Sequence, residues 1–334
     1  MPLTAEQVKK HPEFPYTTWD LPAREKGVLP VAKDRKGGPI NVAWEIHGEG
    51  PEHMVWIMGL GGMKWAWQRQ TKDFSHTEAE TYSSLIVDNR GMGESDKPLM
   101  RYSTSEMAKD LIEVLDHVGW TEKRQLHVVG ISMGGMIAQE LAYLIPDRVR
   151  SLSLVSTAAR LVNTVGFIEN LRNRINLFIP KSIDSQLYHV KRNLYTESWL
   201  NAPDDTEAVV EPFPTNGDRF AAGEVIKRSQ PQYFGRTGFM AQAVAAGWHH
   251  KSPEQLRELA DKIGRERIMV VHGTLDRMIT FPHGEVMLAD LGGEEAGVKK
   301  AFFEGQGHVV PIERRKDFKA LVVEMVEKVR SLED

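Results

Sequence analysis

Leu126-His127-Val128-Val129-Gly130-Ile131-Ser132-Met133-Gly134-Gly135-Met136-Ile137 is the stretch on which the reading of this chain turns. Its first four residues read as a buried strand, and after the glycines Met136, Ile137, Leu141 and Leu144 recur at helical spacing. A strand that turns directly into a helix leaves no room for side chains near the bend. Gly130 and Gly134 therefore bracket Ser132, whose hydroxyl is expected to be pushed outward from a sharp, strained turn. A chain with 28 glycines in 334 residues can produce Gly-x-Ser-x-Gly by chance. The strand before the serine and the helix after it are what give the pattern chemical meaning.

Working outward, strands are predicted at 28–32, 42–47, 54–58, 84–87, 126–129, 149–155, 268–271 and 300–303. The first two are joined by the turn Lys36-Gly37-Gly38, which suggests an antiparallel start. Helices are expected around 64–74, 105–118, 285–291 and 316–330, and Met107, Leu111, Val114, Leu115 and Val118 keep to one helical face. Strands alternating with helices of this length imply an α/β fold, a doubly wound and mostly parallel sheet covered on both faces. Between 158 and 247 the alternation stops. Phe167, Ile168, Leu171, Ile175 and Phe178 mark an amphipathic helix there, and 202–218 is rich in Pro, Asp, Glu and Gly. The expected division is an N-terminal extension over 1–26, a core formed by 27–157 with 248–334, and a helical cap insertion over 158–247.

Composition excludes several functions. The chain has no cysteine, so thiolate catalysis, disulfides and Cys-ligated zinc are excluded. With 42 basic and 46 acidic residues the net charge is -4, and no long run of one sign favours a nucleic acid partner. No run approaches the roughly 20 apolar residues of a membrane span, and 1–20 lacks the apolar stretch of a secretory signal. A cytoplasmic protein with a small-molecule substrate, and a possible homodimer, is expected.

A serine hydroxyl is a poor nucleophile near neutral pH and needs a base, which in turn needs a group to orient it. Of 12 histidines, His308 stands out because Gly305-Gln306-Gly307-His308 follows a predicted strand directly. Asp276 lies in the loop after the penultimate predicted strand, about thirty residues earlier, and is expected to orient it. His272 and His283 lack that glycine-flanked setting and read as structural or pocket-rim residues. Acyl transfer also needs donors for the oxyanion of the tetrahedral intermediate. Met133 starts a helix and so carries an unpaired N–H, and Leu60 lies in the loop Gly59-Leu60-Gly61-Gly62 after an earlier strand. The adjacent His249 and His250 point apart and have no third ligand at suitable spacing, so neither a metal nor a cofactor is expected.

These motifs resemble the α/β-hydrolase superfamily from about residue 27 to the end. The resemblance rests on Gly130-x-Ser132-x-Gly134-Gly135, Asp88-Asn89-Arg90-Gly91-Met92-Gly93-Glu94-Ser95, the loop from Gly273 to Asp276, and Gly305-x-Gly307-His308. Nucleophile, acid and histidine occur in the order that the family requires, and the helical insertion sits where its caps sit. Many relatives carry His-Gly at the oxyanion loop, where this chain has Met58-Gly59. Serine at 132 argues against the epoxide-hydrolase and haloalkane-dehalogenase branches, which use an aspartate. The segment from Asp88 to Ser95 is expected to be a structural turn with an Asp88 to Arg90 contact.

The resemblance implies a cofactor-independent serine hydrolase acting on an apolar carboxylic ester or lactone, with Trp65, Trp67, Met133, Phe239, Met240 and Trp248 as candidates to line its pocket. Carbon–carbon bond hydrolysis, aminopeptidase action, acyl transfer and perhydrolysis use the same catalytic groups. A slow-turnover receptor also stays open at this point.

Overall fold

The computed structural model describes residues 2–162 and 182–332. Its strands are β1 (Glu25–Val31), β2 (Ile40–His47), β3 (Glu52–Ile57), β4 (Tyr82–Val87), β5 (Leu126–Ile131), β6 (Val149–Val155), β7 (Ile268–Gly273) and β8 (Lys299–Phe303). They form one eight-stranded sheet in the order β1-β2-β4-β3-β5-β6-β7-β8. β1 pairs antiparallel with β2 and β2 antiparallel with β4, while the ladders from β4 to β8 are parallel. This is the antiparallel start and mostly parallel continuation expected from the pattern.

All six residues of β5 are buried, which is why its sequence is apolar apart from His127, whose ring meets Ser151 Oγ at 2.8 Å and Glu52 at 2.9 Å, rather than an alternation. Successive side chains feed opposite layers. Val128 joins a core with Leu111, Val114, Ile137, Leu141, Leu256 and Leu259, from the helices Thr104–His117, Met133–Leu144 and Pro253–Ile263. Val129 and Ile131 join the other layer with Phe74, Phe318, Val322 and Met325, from Gln68–Ser75 and Arg315–Arg330. The sheet is therefore covered on both faces, and the expected helix at 64–74 resolves into a 3₁₀ turn, Lys64–Trp67, followed by Gln68–Ser75.

Between β6 and β7 the described residues carry the helices Ile183–Leu194, Glu197–Asn201, Asn216–Arg228 and Arg236–Gly247, the expected helical insertion. The amphipathic helix expected through Phe167 and Phe178 lies outside the described residues. Pro253–Ile263 was not foreseen, although its start is written in the sequence. Ser252 and Gln255 form a reciprocal capping box, and Pro253 occupies the first turn.

The N-terminal segment packs on this insertion. Ala5 and Val8, on the helix Ala5–Lys10, share a core with Ala221, Ala222 and Val225. The Leu3 and Ala5 N–H groups donate to Asp218 and Asp184 at 2.8 Å each.

The turn after β4 corrects one expectation. Asp88 does not contact Arg90. It accepts from the Lys64 backbone N–H at 2.7 Å, the Lys64 ammonium at 3.1 Å and the Glu94 N–H at 3.0 Å. Arg90 turns to Asp110, at 2.6 and 2.7 Å. Both side chains are buried, and a buried charge needs a partner of opposite sign with satisfied hydrogen bonds. Each finds that partner on a helix start or helix face far along the chain.

Candidate active site

Ser132 sits between β5 and the helix Met133–Leu144 with φ 57° and ψ -124°. A non-glycine residue in so sparsely populated a region costs about 1–3 kcal/mol and persists only where the surroundings impose it. They do so here. A Cβ on Gly130 would lie 2.3 Å from the Gly134 carbonyl oxygen, and one on Gly134 would lie 2.1 Å from that of Ile57. The Ser132 N–H donates to Val155 O at 2.9 Å, and the Thr157 hydroxyl donates to Ser132 O at 2.7 Å.

The loop after β3 lies against this turn. A Cβ on Gly59 would come within 2.9 Å of the Ser132 Cβ. Asn89 donates to Met58 O at 3.0 Å, Gln242 accepts from the Gly61 N–H at 2.9 Å, and the Gln242 amide donates to Arg90 O at 2.9 Å. Met58, where relatives carry histidine, thus contributes its carbonyl to holding the loop. Met133 is the first helical residue, so its N–H has no partner within the helix.

His308 follows β8, and its backbone N–H donates to Leu194 O at 2.8 Å. The turn before it is held by Glu313, which accepts from the N–H groups of Gly307 at 2.8 Å and Thr196 at 2.7 Å. His308 Nδ1 lies 2.7 Å from Asp276 Oδ2. Asp276 Oδ1 accepts from the N–H groups of Met278 at 2.8 Å and Ile279 at 3.0 Å. Burial alone would raise the Asp276 pKa, but the adjacent imidazoles of His308 and His272 outweigh it and hold the carboxyl well below the usual range. An ionised Asp276 accepts a hydrogen bond from Nδ1–H, which leaves His308 Nε2 as the basic nitrogen.

His272 bears on the same carboxylate. Its Nε2 lies 2.8 Å from Ile279 O and 3.2 Å from Asp276 Oδ2. Two acceptors facing one nitrogen require the proton there. His272 is therefore an Nε2–H donor to the acid. His283 lies further round the cavity, its Nε2 accepting from the Val162 N–H at 3.1 Å and its Nδ1 3.0 Å from Thr280 O. Burial pushes its pKa down. His249 is buried with Nδ1 2.9 Å from Thr104 Oγ1, while His250 is exposed.

Ser132, Leu60 and His308 line one cavity of about 1310 Å³ between the sheet edge and the insertion. Trp65 and Phe239 line it, and the Phe239 ring packs on Gly61. Trp67 reaches its wall but is 2% exposed, and its ring sits 5.1 Å from that of Trp56 in the core. Three pocket expectations are corrected. Among the described residues neither Met133, which is buried in the core, nor Met240 lines the cavity, and Trp248 is 71% exposed, its ring covered on one side by Arg101 at 4.4 Å. Sequence reasoning missed the charged wall. Arg69, Arg219, Lys227 and Arg228 line the cavity, and burial pushes the Lys227 ammonium down to about 8.

The chain belongs to the α/β-hydrolase fold family, whose model matches residues 52–314. It is 26% identical over 299 residues to a dihydrolipoyllysine-residue acetyltransferase component of an acetoin cleaving system from Cupriavidus necator, covering 86% of this chain and 64% of that protein. It is 32% identical over 108 residues to 3-oxoadipate enol-lactonase 2 from Acinetobacter baylyi, covering 32% of this chain and 38% of that one. The chain spans less than two thirds of the length of the first curated relatives it matches. Among solved structures, a hydrolase from Pseudomonas aeruginosa superposes with TM-score 0.68 at 20% identity, covering 91% of this chain and 99% of that one. The enol-lactonase from Burkholderia xenovorans gives 0.64 at 20% identity, covering 86% and 97%. No helix among the described residues is long and apolar enough to cross a membrane.

Proposed function

We propose that the protein is a serine hydrolase that cleaves a small or medium carboxylic ester or lactone through an acyl-enzyme on Ser132. The observation that carries this reading is the 2.7 Å contact of His308 with buried Asp276, in a histidine that shares one cavity with Ser132 on its strained turn. His308 Nε2 takes the Ser132 proton as Oγ attacks the carbonyl carbon. The backbone N–H groups of Leu60 and Met133 bind the oxyanion, a contribution of about 3–4 kcal/mol per donor in comparable sites. His308 then protonates the leaving oxygen, and a water activated by the same nitrogen releases the acid and restores the serine. Asp276, ionised throughout, holds the imidazole and stabilises its cationic form. Residues 158–247 act as a cap over the core formed by 27–157 and 248–334, and set the acyl and alcohol lengths admitted.

The test is labelling with a fluorophosphonate probe, in competition with an ester and lactone panel, beside steady-state turnover. Wild-type protein should be labelled at Ser132, and Ser132→Ala should lose labelling and about 10⁴-fold or more in kcat while remaining folded. Retention of most turnover by Ser132→Ala would overturn the reading.

A further inference from the structure

The cavity wall is positively charged. Six of its residues, among those described, are Lys or Arg and one, Glu224, is acidic. Lys227 and Arg228 share that carboxylate. Arg219 is answered by Asp204 at 2.6 Å and Glu13 at 3.4 Å. Arg69 is different. It is 8% exposed, its Nη2 donates to the neutral hydroxyl of Thr206 at 2.6 Å, and no carboxylate stands within 4 Å of it among the described residues. Asp205, which acts on it through space, is an exposed side chain beyond ion-pair reach.

A buried guanidinium with one neutral acceptor carries a large desolvation cost that the described residues do not offset. The cost falls in a revealing place. Arg69 stands on the helix that follows the Leu60 loop, and beside it Tyr195 stacks on Trp199 at 4.4 Å. The Tyr195 hydroxyl has no hydrogen-bond partner among the described residues, and both residues line the cavity. Tyr195 directly follows Leu194, the residue whose carbonyl receives the His308 N–H. The pair therefore opens onto the same cavity as the proposed catalytic groups. Burial pushes the Arg69 guanidinium below its ordinary range, and the charges of Arg315 and Arg219 push the same way, so an anion placed there would relieve both effects.

We propose that Arg69 and Tyr195 form a carboxylate-binding subsite, and that the substrate of this enzyme is an ester or lactone bearing a free carboxylate beyond the scissile bond. The proposal rests on the serine-hydrolase reading for the scissile bond and on the unanswered guanidinium for the charge. A carboxylate fits better than a phosphate. The Arg69 fork has spent one arm on Thr206, and what remains is a single positive charge with planar donors, beside one phenolic O–H that also donates.

Two measurements test it. Hydrolysis of monoethyl glutarate and monoethyl adipate is compared with that of the corresponding diethyl esters, which keep the acyl chain and leaving group and remove the charge. Wild-type protein should prefer the monoesters by at least about tenfold in kcat/KM, and Arg69→Met should reduce that ratio by at least about tenfold, mainly through KM of the monoester. Arg69→Lys should restore part of it. Equal ratios in wild type and Arg69→Met, or a wild-type preference for the diesters, would overturn the subsite.

Separately, glutarate binding to Ser132→Ala is measured by calorimetry with and without Arg69→Met. The added substitution should weaken binding at least about tenfold; equal affinity, or no binding to Ser132→Ala alone, overturns the proposal. Should wild type hydrolyse neither ester, the serine-hydrolase reading fails while the calorimetry still decides the subsite. Tyr195→Phe removes one hydroxyl and keeps the ring packing, so it gives the same readouts, with a smaller loss expected, if Arg69→Met does not fold.

Discussion

His272 and His308 share one oxygen of Asp276, His308 Nδ1 at 2.7 Å and His272 Nε2 at 3.2 Å. The second imidazole stands behind the acid, fully buried, with its proton fixed by Ile279 O. On the serine-hydrolase reading it acts on catalysis through the acid, as a positioning residue. Losing a hydrogen bond to a charged group costs about 1.5–3 kcal/mol, so His272→Leu should lower kcat by about 10- to 100-fold with little change in KM. His272→Gln, which keeps an N–H donor, should recover part of the loss. Steady-state kinetics of the two variants on one aryl ester decide the matter. Identical kcat values for the two would remove the donor role.

Strain at Ser132 can be measured directly. Ser132 is held at φ 57° with a side chain, whereas glycine reaches that region without a Cβ penalty. Ser132→Gly should therefore be more stable than Ser132→Ala by about 1 kcal/mol, after allowing for the greater freedom of glycine in the unfolded chain. Urea unfolding of the two inactive variants isolates the term, because neither has the hydroxyl. If alanine is the more stable, the turn is not strained.

Gln242 joins the insertion to the loop that carries Leu60. Its amide has no exposed surface and bridges Gly61 N–H to Arg90 O. Gln242→Met keeps the volume and leaves both backbone groups without a partner, at about 1–3 kcal/mol for each buried group. Stability should fall by about 2 kcal/mol, and kcat should fall about tenfold as the loop loses its hold on the oxyanion position. A variant that is destabilised but has wild-type kcat would show that Gln242 serves the fold alone.

The parts of the site that the sequence discloses are those fixed by local backbone geometry. Ser132, Asp276 and His308 stand out as candidates because each follows a strand, where glycines or turn residues mark the place. The inner strands β3 to β7 are legible because burial on both faces writes apolar runs, whereas the antiparallel start is legible from the turn Lys36-Gly37-Gly38, β1 itself being largely exposed. What stayed hidden depends on long-range direction. Asp88 and Arg90 are two apart, yet their partners, Lys64 and Asp110, lie 24 and 20 residues away. Trp248 gave no sign that its ring faces solvent, since a large apolar residue at the end of a helix reads the same either way. Arg69 reads in sequence as an ordinary surface arginine. Only the fold, by closing Thr206 and Tyr195 over it, makes it a buried charge.

His249 supplies a pH dependence whose sign follows from burial. Desolvation, aided by the charges of Lys251 and His250, lowers its pKa to about 3, whereas an unfolded chain protonates histidine near 6.5. Between those values the unfolded state binds more protons than the folded state. Stability therefore rises with pH across this window, and it falls as acid is added below about 6.5. The loss stops accumulating once the folded protein takes up the proton too. Within the fold, Thr104 Oγ1 lies 2.9 Å from His249 Nδ1 and Glu140 lies 3.7 Å away, with Glu140 already paired to Lys251 at 2.7 Å. His249→Gln keeps a polar group for Thr104 and removes the titration. The stability difference between pH 7.5 and pH 5, read from urea unfolding, should shrink by about 1–2 kcal/mol in the variant. An unchanged difference would mean that His249 is protonated in the folded protein at pH 5, so that its surroundings, with Thr104 and Glu140 beside it, are open enough to admit a charge.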